Sequence, residues 1–269
     1  MRHLKALVAS LLVGLLAGPA MAQDSALRTL ATGDDAKPFH AVGRLELAGT
    51  GFCTATLLSP REVLTAAHCV VQEDGTRLRP DQVVFLAGFR DGRAEAHRTA
   101  KRIVVASGYR AGDMSVSSLA YDVALIELDR PVDASMVAPI AASSVGGAEI
   151  GVVSYAHDRA ERPALQETCS VLGRDYGALV MSCDADFGTS GAPVLTFRGG
   201  APRIVSVVSA KAHANGRKVS IGTDLSATLP ALRAELARGD GVFFRSAPKV
   251  LRLSQDQARV GGPGKFLKP

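Results

Sequence analysis

Short apolar and β-branched runs alternate with turn signals along residues 41–240. In order they read "AVGRLEL", "FCTATLLS", "EVLTAA", "QVVFLAGF", "AKRIVVAS" and "DVALIEL", then "GVVSYA", "ETCSVLG", "ALVMSCD", "APVLTF", "RIVSVVSA" and "KVSIGTDL". Runs of Val, Ile, Leu and Thr this short and this closely spaced predict an all-β barrel or sandwich. They fall into six and six on either side of "DRPVDASMVAPIAASSVGG", whose Pro, Gly, Ala and Ser content reads as a connector. Two barrels are therefore expected, over about 41–130 and about 148–225. "SATLPALRAELARG" then places Leu229, Leu232 and Leu236 at helical spacing before a glycine, which predicts a closing helix over about 226–238. Residues 241–269 turn to Pro, Gly and basic residues and are expected to form a flexible tail, within which "VFF" and "VLRL" could pack locally.

Composition changes the picture mainly at the two ends. The chain has 269 residues, 47% hydrophobic and 21% charged, which suits one large domain or two fused halves. Residues 1–22 carry a basic start (Arg2, Lys5), the apolar run "ALVASLLVGLLAG" and the small-residue site "AMA", the pattern of a secretory signal. A mature chain starting near Gln23 follows, with 23–40 as an N-terminal segment or short propeptide. No later apolar run is long enough to span a bilayer, so a secreted or periplasmic protein without a transmembrane segment is expected.

The formal charge of +5 is not spread evenly. Arg2 and Lys5 fall in the signal, and Arg245, Lys249, Arg252, Arg259, Lys265 and Lys268 fall in the tail against Asp256 alone. The body in between is nearly neutral, with no general reason to bind nucleic acid. Four cysteines in an exported chain point to disulfides. Of three possible connectivities, the local pairs Cys53–Cys69 and Cys169–Cys183 are expected, each closing a modest loop within one half. No pair has the short spacing of a zinc ribbon, and neither a metal nor another cofactor is expected.

Hydrolysis of an unactivated amide needs a nucleophile, a base, a group that orients the base, and donors for the developing oxyanion. Ser190 in "DFGTSGAPV" lies close to Gly188 and Gly191, and glycines there let backbone N–H groups point at a substrate carbonyl. The N–H groups of Gly188 and Ser190 are the candidate oxyanion hole. Asp122 opens the apolar run "DVALIEL", where a buried carboxylate needs a strong partner. His68 in "LTAAHCV" can be that partner, its other nitrogen taking the serine proton.

Taken together, "TAAHC", "YDVALIEL" and "GTSGAP" resemble the trypsin-like, chymotrypsin-fold serine peptidases, in the order His, Asp, Ser. The resemblance covers about 41–236 and implies two six-stranded Greek-key barrels with the site between them. It implies His68 as general base, Asp122 as orienter and Ser190 as nucleophile of a serine endopeptidase. It also supports the Cys53–Cys69 bond. Thr189 stands where digestive members carry an aspartate that pairs with a freed N-terminus, so activation by that ion pair is not expected; here "GTSGAP" is more similar to bacterial exported relatives, including the glutamyl-endopeptidase-like branch. Asp184 lies six residues before Ser190, where trypsin-like members hold the acid that binds Arg or Lys, and Asp184 and Ser206 are the candidate substrate-binding residues. Ala185 and Val205 fall where the glutamyl branch would place a threonine and a histidine, which weighs against glutamate specificity. Protein or peptide substrates, a proteinaceous inhibitor and a monomeric state are the implied partners. A catalytically silent trypsin-fold binding protein, or a module attached to anionic surfaces by its basic tail, is the alternative.

Overall fold

The computed structural model describes residues 24–48, 51–144, 147–214, 216–239 and the backbone of 243–244. The expected signal and almost all of the basic tail lie outside these residues.

Fourteen strands and three α-helices follow one another along the described chain. The first group is β1 (Arg28–Thr29), α1 (Gly33–Ala36), β2 (Val42–Leu47), β3 (Gly51–Ser59), β4 (Glu62–Thr65), β5 (Val83–Ala87), β6 (Ala96–Val105), α2 (Val116–Leu119) and β7 (Ala124–Leu128). The second is β8 (Glu149–Ala156), β9 (Arg159–Asp175), β10 (Ala178–Met181), β11 (Pro193–Thr196), β12 (Arg203–Ala214), β13 (Arg217–Asp224), α3 (Leu225–Arg238) and β14 (Phe243–Phe244). One sheet runs β6-β5-β2-β3-β4-β7 and closes through β6–β7, with β14 added on β6. The other runs β9-β10-β13-β12-β11-β8 and closes through β8–β9, with β1 added on β9. The result is two closed six-stranded antiparallel barrels, the architecture expected of the two sets of six runs.

Alternation explains which faces close. In β2 the residues Val42, Leu45 and Leu47 are buried, and in β7 all five residues are. One apolar cluster extends from Leu45, Leu64 and Ile126 of the first barrel to Tyr155, Leu195 and Val207 of the second, so the barrels share a core. The 129–147 connector is stitched to both: Val132 N–H donates to Pro60 O at 2.8 Å, Ile140 N–H to Leu57 O at 3.0 Å, and Ser143 N–H to Ile204 O at 2.8 Å. Helix α3 starts at Asp224, whose carboxylate accepts from Ser226 N–H at 2.8 Å, and stops at Gly239 with φ 81°. Its Leu229, Leu232 and Leu236 are the buried face that the spacing predicts.

Two strand lengths differ from the sequence reading. β9 begins at Arg159, eight residues before the apolar "ETCSVLG", because pairing with β8 and β1 holds a polar stretch extended. β12 runs on through Lys211 and His213 to Ala214, held by β13 alone. The segment from Asp24 is also built in: Ser25 N–H donates to Thr168 O at 2.8 Å, Leu30 is fully buried, and Phe39 meets Phe197 edge to face at 6.4 Å.

Candidate active site

His68 sits in the 3-10 turn Ala67–Cys69 that follows β4. The turn is fixed by Val70 N–H donating to Ala67 O at 2.9 Å and by the Cys53–Cys69 disulfide to β3, with an S–S distance of 2.05 Å. Asp122 lies just ahead of β7 and is 1% exposed. Its backbone is held by Asp122 N–H donating to Leu119 O at 3.2 Å and by the buried Thr223 hydroxyl donating to Asp122 O at 3.3 Å.

The carboxylate of Asp122 faces three partners. Oδ1 accepts from His68 N–H at 2.9 Å, Oδ2 meets His68 Nδ1 at 2.7 Å, and Oδ2 also accepts from the Ser209 hydroxyl at 2.5 Å. A buried carboxylate this well satisfied can hold its charge. It grips the histidine by both backbone and ring, which fixes Nδ1 as the protonated nitrogen and turns Nε2 outward as an acceptor. Burial disfavours the imidazolium, but the charge and hydrogen bond of Asp122 outweigh it, so the His68 pKa is raised above its ordinary value.

Ser190 is tethered to the same strand that holds the histidine turn. Thr54 N–H donates to Ser190 O at 2.9 Å, and the Thr54 hydroxyl donates to Gly188 O at 2.8 Å while accepting from Tyr155 N–H at 3.0 Å. Thr54 neighbours Cys53, whose sulfur is bonded to the residue after His68, so two adjacent residues of β3 fix the positions of His68 and Ser190. Gly188 and Gly191 are required here. Gly188 has φ 94°, and a Cβ on it would fall 2.6 Å from the Phe52 ring and 2.9 Å from Ala156 Cα. Gly191 has φ 79°, and a Cβ would fall 2.2 Å from both Thr54 O and Thr65 Oγ1. Within the turn Thr189 N–H donates to Asp186 O at 2.9 Å, whereas among the described residues the N–H groups of Gly188 and Ser190 donate to no protein acceptor. Thr189 is fully buried, and its hydroxyl accepts from Asp186 N–H at 3.2 Å, a neutral contact that closes the turn.

Replacing Thr54 by valine keeps the shape and removes the hydroxyl bridge between Tyr155 N–H and Gly188 O. A loss of about 1–3 kcal/mol of stability is expected from the buried groups left unpaired. Denaturant unfolding checks this, and a variant as stable as the parent would contradict the bridging role.

Both expected disulfides are present, the second at 2.06 Å within the core of the second barrel. Cys53, Cys69 and His68 do cluster, but the two sulfurs are bonded to each other and offer no thiolate to a metal. The two candidate specificity residues sit in different surroundings. Asp184 is exposed, and its N–H donates to Gln166 Oε1 at 2.7 Å. Ser206 is fully buried in β12 against β13. The serine that reaches the site is Ser209, three residues further on, at a register shift between Val208 and Ala210. A bulge re-aims a side chain in this way, and it defeats counting along the strand. Thr54 and Ser209 are the two site residues that the sequence reading did not single out. The available signal was a hydroxyl residue inside an apolar run.

The family model of trypsin matches residues 32–231. The chain belongs to the trypsin family. Among trypsin-family relatives, Serine protease 23 of Bos taurus is 34% identical over 164 residues, which is 53% of this chain and 43% of that protein. Glutamyl endopeptidase of Bacillus licheniformis is 24% identical over 194 residues, 70% of this chain and 59% of that protein. The chain thus spans about half the length of these curated relatives. A solved structure of Glu endopeptidase in complex with MPD superposes with a TM-score of 0.64 at 22% identity, covering 81% of this chain and 97% of that one, and shows the shared fold.

Proposed function

We propose that this trypsin-family chain is an exported serine endopeptidase that cleaves peptide bonds through an acyl-enzyme. The observation that carries the reading is the doubly bonded His68–Asp122 pair, tethered through β3 to the turn that bears Ser190. In the first step His68 Nε2 takes the Ser190 proton as Oγ attacks the carbonyl carbon. The Gly188 and Ser190 N–H groups receive the oxyanion. The imidazolium, stabilised by Asp122, then protonates the leaving amine and the C–N bond breaks. Water, deprotonated by the same nitrogen, attacks the ester carbonyl, and the imidazolium returns that proton to Ser190 Oγ as the acyl C–O bond breaks. Two disulfides and the signal pattern at 1–22 support export. Among the described residues no helix is long and apolar enough to cross a membrane.

One observation favours the silent binding reading: Ser190 Oγ makes no hydrogen bond among the described residues. Catalytic hydrogen bonds commonly tighten only when substrate binds, so the open geometry does not oppose catalysis.

The test is cleavage of unfolded casein, and of a peptide taken from it, by the purified protein and by Ser190→Ala. The parent is expected to cleave and the variant to be inactive; equal activity would reject the reading. The base works only when neutral, so kcat/KM should rise with pH along a limb centred above the ordinary histidine value of about 6.5. The His68 contribution to stability runs the other way. Because the folded pKa is raised, it is fully present below the unfolded value and is lost as pH rises through the folded one. A limb centred below the ordinary value would mean that Asp122 does not govern the base.

A further inference from the structure

The same turn that carries Ser190 holds a bridge that the mechanism does not use. Lys211 stands on β12 two residues beyond Ser209, on the stretch where β13 is the only paired neighbour. Its ammonium reaches across to the turn before Ser190, 2.9 Å from Asp186 Oδ1 and 4.0 Å from the centre of the Phe187 ring. Asp186 Oδ1 also accepts from Phe187 N–H at 2.8 Å, and Phe187 O accepts from His157 N–H at 2.7 Å, so the turn side of the bridge is anchored in its own backbone. The lysine side is a flexible stem. The ion pair therefore ties together the two segments that flank the site, one bearing Ser209 and the other Gly188 to Ser190. Phe187 is 72% exposed, with the Lys211 ammonium over its ring.

Resting on the serine-peptidase reading, we propose that the Lys211–Asp186 pair is a latch across the substrate approach, and that an acidic substrate side chain opens it by taking the place of Asp186 on the Lys211 ammonium. Half-exposed ion pairs contribute little in water, so exchanging one carboxylate for another is nearly balanced. Substrates without a carboxylate must break the pair with no replacement. Asp186 is charged throughout the neutral range, because its bonds from Lys211 and the Phe187 N–H hold its carboxyl below the usual carboxylate range, and Arg159 adds to this. It therefore acts as an internal competitor, and Lys211 as the specificity-determining residue. Asp184 is exposed with its side chain unengaged among the described residues, and it supplies no opposing preference for cations in a closed pocket.

The test uses two matched peptidyl diphenyl phosphonates that differ only in Glu or Gln beside the phosphonate, and reads their rates of adduct formation on Ser190. The Glu probe should react faster with the parent. Lys211→Ala should reduce the Glu-to-Gln rate ratio about tenfold, the scale of a lost charge-assisted contact. Asp186→Asn, which frees the ammonium, should raise that ratio severalfold. A ratio unchanged in Lys211→Ala, or lowered in Asp186→Asn, overturns the latch while leaving the peptidase reading intact. A folded parent that reacts neither with these probes nor with an unselective fluorophosphonate fails as a peptidase, and the latch falls with it.

Discussion

Asp122→Asn is expected to lower kcat/KM for peptide hydrolysis by about 10⁴-fold, the scale of losing the orienting acid in such a triad. The reason lies in the donors that surround the carboxylate. Asp122 accepts from His68 N–H and Ser209 O–H and faces His68 Nδ1 at 2.7 Å. An asparagine keeps one acceptor and gains an amide donor. With its oxygen retained toward His68 N–H, the amide N–H₂ faces Nδ1 and the serine hydroxyl. The hydroxyl can rotate to accept. The ring can accept at Nδ1 only by moving its proton to Nε2, and there it can no longer deprotonate Ser190. Folding should survive, because shape is conserved and each bond has a replacement. Steady-state kinetics together with thermal unfolding check both halves, and a variant retaining more than a tenth of parental kcat/KM would show that the carboxylate does not set the tautomer.

Gly191→Ala is the second large effect, and it acts through the backbone. The position needs φ 79°, and the added methyl would fall 2.2 Å from Thr54 O and from Thr65 Oγ1. Positive φ and overpacking each cost roughly 1–3 kcal/mol, so a loss of about 2–6 kcal/mol is expected. Against a total stability of about 5–15 kcal/mol, that is a large fraction. The neighbours cannot yield cheaply, since Thr54 O already accepts from the Thr65 hydroxyl at 3.0 Å and Thr54 N–H holds Ser190 O. If the turn moves instead, Gly191 N–H leaves Val208 O, now 2.8 Å away, and Ser190 shifts with the turn. Denaturant unfolding and the rate of phosphonate labelling should therefore both fall. A variant as stable and as reactive as the parent would contradict the close approach of β3 to the serine turn.

The residues that were legible in the sequence are those whose local pattern has one physical reading. Alternation in "AVGRLEL" and the continuous apolar run in "DVALIEL" mark half-buried and fully buried strands, and both are found. Leu229, Leu232 and Leu236 before Gly239 mark the helix for the same reason. His68 and Asp122 stand out because their motifs are short and specific, and the structure brings the pair into contact. What was not legible depends on partners far along the chain. Thr54 bonds to Gly188, 134 residues away, and nothing in "FCTATLLS" encodes that meeting. Ser206 and Ser209 share one apolar run, and only the register shift after Val208 decides which of them faces Asp122. β1 and β14 are two residues each, too short to carry any periodicity, and exist only by pairing with β9 and β6. The polar first half of β9 is a strand for the same reason: its neighbours hold it extended while its own residues do not demand it.

The measurement that bears most directly on the account is labelling of the purified, disulfide-bonded protein with a fluorophosphonate, read by intact mass and peptide mapping. A single adduct on Ser190, absent in Ser190→Ala and slowed by several orders of magnitude in His68→Ala, is the predicted result. A folded protein that takes no adduct, or one that labels equally fast without His68, would contradict an activated serine and move the binding reading to first place.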